Sequence, residues 1–157
     1  MRDFLLHLHP ALTSLPTALL PLALALEIWG AFRPSASVSW SVRVLVTVGV
    51  AGVIAAFFSG YIASDLADQF FEVPDEPISQ HHVLGRLLLF TSIPMLALMW
   101  IGYAASHSKA MFLAAYRLLL LACVVLVIFT GYLGGELIFN YGAGVHASGA
   151  APRSVPK

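Results

Sequence analysis

The sequence predicts an all-α integral membrane protein: four transmembrane helices in an up-down antiparallel bundle. Three observations carry this. The 157 residues are 59% hydrophobic and only 10% charged, with a mean hydropathy of +0.87, outside the range of soluble domains. Four apolar runs reach the roughly 20 residues that a bilayer core requires. Turn-forming or polar residues separate them.

The four runs are residues 11–32, 42–63, 83–104 and 111–133. The first ends at Arg33-Pro34-Ser35. The second and third are divided by Pro74-Asp75-Glu76-Pro77, and the third and fourth by Ser106-His107-Ser108-Lys109. Short links between antiparallel neighbours give the up-down order. Residues 1–141 form a single membrane domain, followed by a polar tail, 142–157. The N-terminus has histidines and a proline ahead of its apolar run and no small-residue cleavage site, so no removed signal peptide is expected.

Charge sets the expected orientation. Arg33, Arg43 and Lys109, with Arg117 just inside the fourth run, lie on one side; Asp65, Asp68, Glu72, Asp75, Glu76 and Glu136 lie on the other. Basic loops stay in the cytoplasm, which places both termini and the 64–82 loop in the periplasm of a bacterial inner membrane. Arg2, Arg153 and Lys157 oppose this bias without reversing it. Trp29, Trp40 and Trp100 fall near the cytoplasmic ends, as an interfacial belt would.

Several function classes are excluded. Net charge is zero, so there is no basic field for nucleic acid. Zinc-finger, phosphate-loop and dinucleotide spacings are missing. Cys123 is the single cysteine and reads as a small buried or lipid-facing side chain. No nucleophile, base and orienter follow in an arguable order. Few polar residues fall within the spans, which leaves little for a transport path. The chain reads as a carrier or accessory subunit rather than a complete enzyme.

The histidines are the most informative residues. Five of the six, His7, His9, His81, His82 and His146, fall at the outer face; His107 does not. Two histidines facing each other across a bundle can ligate a haem iron from both sides. His9 and His82 are the natural pair, with His81 and His146 in support. Gly85 would let a flat ring approach the backbone. Arg86, four residues after His82, is placed to pair with a haem propionate, or with Asp65, Asp68 or Glu136. A second reading is zinc or copper held by the His7/His9 and His81/His82 pairs with carboxylates. A third is that histidines at a water–lipid boundary simply stay wet and cap helices. All three remain open.

Other features invite structural readings. Gly52, Ala56 and Gly60 recur every four residues and permit close helix approach. Pro16, Pro21 and Pro94 can kink their helices and open space between them. Glu27 is an acid within a span. Pairing with Arg33 or snorkelling to the interface is the expected role, beside the functional one that any intramembrane acid suggests.

Two segments resemble a known family. His9-Pro10 followed by Leu15-Pro16, and the stretch from Gly131 to Val145 with Gly134-Gly135 and Gly142-x-Gly-Val, are similar to the opening and closing motifs of the DUF2231 membrane proteins. The four-span layout between them fits as well. The resemblance implies a cytochrome-like membrane subunit working near the periplasm with haem b. The chain departs from that pattern at Thr13-Ser14-Leu15-Pro16, which lacks a second histidine, and at Tyr141, where relatives commonly carry one.

The leading expectation is a membrane electron-transfer subunit, with haem b on His9 and His82, passing electrons between a periplasmic redox protein such as cytochrome c and quinone or a partner subunit. The acidic 64–82 loop would suit a basic partner. The alternative is a cofactor-free structural or assembly subunit of a respiratory or photosynthetic membrane complex.

Overall fold

A computed structural model describes residues 2–70, 75–105 and 107–142, with side chains at all of these except 2–7, 63 and 65–70. It is all-helical: α1 (Arg2–Phe32), α2 (Ala36–Phe70), α3 (Asp75–Ala104) and α4 (Lys109–Tyr141). All four are long and apolar enough to cross a membrane. The span Leu8–Phe32 alone, at 25 residues, rises ~37 Å at 1.5 Å per residue, more than the ~30 Å hydrocarbon core.

The helices outrun the apolar segments at the histidine end. α1 begins nine residues before residue 11, and α4 continues eight beyond residue 133. Hydropathy falls where polar side chains begin, but the backbone stays helical until something stops it. α4 stops at Gly142, whose φ of 69° closes the helix by donating its N–H to the Leu137 and Ile138 carbonyls. Such a left-handed C-cap favours glycine. The expected 64–82 loop is likewise mostly helix, since α2 runs to Phe70 and α3 starts at Asp75. His7 and His9 therefore sit within α1, and His81 and His82 within α3.

Antiparallel pairing is fixed by close contacts. A Cβ at Gly49 would stand 2.9 Å from Leu20, at Gly52 2.9 Å from Leu15 Cβ and 3.0 Å from Pro16 Cδ, and at Gly60 2.7 Å from the His9 ring. As α2 ascends, α1 descends. Gly102 does the same for α3 and α4, where a Cβ would lie 2.8 Å from Leu113. Without a hydrophobic drive between helices in lipid, such close approach supplies the packing energy. The expected close face on α2 is present, with Gly49 added to it.

The bundle is a square in which α1 packs mainly on α2 and α3 mainly on α4. The seams α2–α3 and α1–α4 are much thinner. Inside lie Leu20, Ala23, Val46, Met95, Met99 and Leu120, all fully buried, and Cys123 among them. Outside, large apolar side chains such as Phe32 and Phe139 (88% exposed) face outward. An apolar exterior this continuous is what a lipid-facing surface requires. Trp29, Trp40 and Trp100 are exposed at one end, as an interfacial belt would be.

Pro10, Pro16 and Pro21 all lie inside α1, and Pro94 inside α3. Thr13, Ser14 and Thr17 donate their hydroxyls to carbonyls three or four residues back. That satisfies them within the helix and leaves no bare donor toward lipid.

Candidate functional site

Two polar centres sit at opposite ends of the bundle. The first is built on His9. Its ring lies against Gly60 of α2, where only a missing side chain leaves room. Ser59 donates its hydroxyl to the Ala56 carbonyl at 3.0 Å, and His9 Nδ1 lies 3.0 Å from the same Oγ. Which of Oγ and Nδ1 donates follows the His9 tautomer. In the Nδ1-protonated form the lone pair is on Nε2, the nitrogen that would bind a metal or take a proton.

His81 occupies the corresponding place in the other hairpin. Its Cε1 would lie 3.3 Å from a Cβ at Gly134 of α4. Its Nδ1 is buried and makes no close hydrogen bond, but the Thr130 carbonyl of α4 acts on the ring. His9 and His82 are both near enough to His81 to act on it electrostatically. His82, whose ring centroid is 6.4 Å from that of His81, lines an outer groove with Arg86, Asp75, Ser79, Tyr61 and Ser64. His9, His81 and His82 are all half-buried; His9 and His81 lie against glycines of their hairpin partners, and His82 and Arg86 line one groove.

A Cβ at Gly85 would meet nothing within 4 Å, so that face is open. Glu136 accepts from Tyr132 on its own helix at 3.1 Å. The side chains of His7, Asp65 and Asp68, and all of Glu72 and His146, lie outside the described residues. Among the described residues, no group of three or more His, Cys, Asp or Glu could hold a metal ion. The His–carboxylate metal cage is therefore not assembled by them.

The second centre is at the arginine end. Glu27 neither snorkels nor meets Arg33. It is 8% exposed and pairs with Arg117 Nε at 3.0 Å, joining α1 to α4. The cause is register: Leu20, Ala23 and Glu27 form one inward stripe of α1. The matched depth of Glu27, near the end of its span, and Arg117, near the start of its own, was the signal available in the sequence. Arg43 lies over Trp40, Trp100 and Tyr103, with 4.9, 5.8 and 4.7 Å to the ring centroids, within the range of cation–π attraction.

Beside Glu27, the Tyr116 hydroxyl is wholly buried. It and Glu27 Oε1 have no other close partner and act on each other as donor and acceptor. A hydroxyl donating to a carboxylate contributes about 1.5–3 kcal/mol. Tyr116→Phe should therefore lower the thermal midpoint in detergent; an unchanged midpoint would show that hydroxyl and carboxylate do not meet.

The family model described as "Predicted membrane protein (DUF2231)" matches residues 6–147. No curated protein and no solved structure matches the chain. The family-like motifs coincide with structural work done here: Gly134 seats His81 and Gly142 ends α4. With nearly its whole length matched, the chain belongs to the DUF2231 family of predicted membrane proteins.

Proposed function

We propose that the protein is a membrane electron-transfer subunit that holds a b-type haem at its histidine end, with His9 and His81 as the axial ligands. The observation that carries this is the pair of imidazoles on diagonal helices α1 and α3, each laid against a glycine of its hairpin partner. With Nδ1 donating to Ser59 Oγ, 3.0 Å away, His9 would keep its Nε2 lone pair, as a ligating histidine needs. The His81 ring faces the Thr130 carbonyl of α4, as His9 faces that of Ala56 on α2, so both imidazoles have a backbone group to hold their orientation. These residues fit the group. Haem supplies reversible one-electron chemistry, tuned by its ligands and burial. The chain's own part is to orient two imidazoles and exclude water with the surrounding apolar helices. Arg86 and His82 at the rim suit the propionates. Exposed Asp75 in the same groove, with exposed Glu76 next in the chain, would suit a basic redox partner such as cytochrome c. In this reading the histidine end faces the periplasm, and quinone or a partner subunit completes the path.

A reduced-minus-oxidised spectrum of freshly purified protein tests it. Bands of a six-coordinate b haem are expected, lost or shifted in His9→Ala and His81→Ala and kept in His82→Ala. A wild-type preparation without haem would sink the proposal; haem that survives both substitutions would refute the ligand pair. The cofactor-free subunit reading draws on one different observation. Gly131 and Gly135 form an open small-residue face on α4, with nothing within 4 Å of an added Cβ, of the kind that receives another membrane helix.

A further inference from the structure

We infer that the chain is one helical hairpin present twice in tandem, and that both copies share a single ligand site on the pseudo-two-fold axis at the histidine end, to which His9 and His81 contribute equally. The ligand class rests on the haem reading; the duplication does not. In α1 and α3, Leu20 and Ser92, Ala23 and Met95, and Glu27 and Met99 are buried pairs, each 72 positions apart; the half-buried His9 and His81 are also 72 apart. In α2 and α4, Val42 and Tyr116, Val46 and Leu120, and Val50 and Val124 are buried pairs 74 apart. Inward stripes would match between many bundle helices, because helical periodicity alone produces them. Side-chain identity at matched depth has no such cause. The His–Gly contact occurs in both hairpins, His9 on Gly60 and His81 on Gly134. Arg43 and Arg117 each precede that glycine by 17 residues. The two seams between the hairpins are also nearly equal in extent, as a two-fold axis along the bundle requires.

Symmetry is broken at two places among the described residues: Ser59, which contacts His9, has Leu133 as its counterpart, and the ion pair has no counterpart. Glu27 of α1 reaches Arg117 of α4. The related position on α3 is Met99, which is fully buried. The related arginine on α2, Arg43, lies instead against Trp100 and Tyr103 of that same α3. Met99 therefore stands where a carboxylate would meet Arg43.

The full-length protein tests both halves of the inference. If the hairpins are equivalent, Met99→Glu acquires Arg43 as its partner and melts within a few degrees of wild type, and adding Arg43→Leu lowers its midpoint far more than Arg43→Leu does alone. A Met99→Glu chain that is equally damaged, or fails to fold, whether residue 43 is Arg or Leu overturns the duplication. For the shared site, His9→Met and His81→Met should shift the haem spectrum alike, each giving a His–Met ligand set. One variant keeping the wild-type spectrum while the other loses its haem overturns equal ligation. Wild-type protein without haem removes the ligand class and the shared site, and the duplication then stands or falls on residues 43 and 99.

Discussion

Arg117→Leu should be the most damaging single change at the arginine end, lowering stability by about 3–5 kcal/mol, the usual cost of leaving a buried ion without its partner. Glu27 is 8% exposed. Without the guanidinium, the neutral Tyr116 hydroxyl is left beside its carboxylate, which does not balance the charge. The converse change is milder, because the Arg117 side chain is 52% exposed and can turn to the interface. The double variant Glu27→Met/Arg117→Leu removes the stranded charge and should recover most of the loss, since apolar replacements of similar volume often match a buried pair. Thermal or denaturant unfolding in detergent of the two singles and the double gives the coupling directly. Additive losses would mean that the 3.0 Å contact contributes nothing.

Gly52→Leu should be comparably severe for a steric reason. Its first added atom would stand 2.9 Å from Leu15 Cβ and 3.0 Å from Pro16 Cδ. A Cβ cannot swing aside, and the proline ring is fixed to its backbone. α1 must move away from α2, and overpacking of this kind typically costs 1–3 kcal/mol or more. At Gly60 the same intrusion meets the His9 ring, 2.7 Å away, which can rotate, although it then leaves Ser59. Gly52→Leu should thus lower the melting midpoint more than Gly60→Ala does. The reverse order would mean that α1 is not held at the Leu15–Pro16 contact.

The span count, antiparallel order and close face on α2 were legible in the sequence, because each follows from local patterns: apolar runs, turn residues and small residues four apart. The helix ends were not, because hydropathy falls at residue 133 whereas the backbone stop is the left-handed Gly142. At the candidate site, the sequence marked His9, His81 and His82 but left open which of the last two faces inward. Adjacent residues on a helix point about 100° apart, and only the seat at Gly134 decides between them. Glu27 was visible as an intramembrane acid, yet its partner lies 90 residues away on a helix that joins α1 only when the square closes. Ser59, which orients His9, carries no signal apart from its contact.

The difference between thick contacts within each hairpin and thin ones between them has a consequence for assembly. Each hairpin has its own short link and its own glycine-tight interface. Each pair can close on its own contacts, and the two pairs meet over much thinner seams. His9 and His81 are each seated on a glycine of their own hairpin, so neither seat depends on the other pair: what the two pairs share is only how far apart the two imidazoles are held.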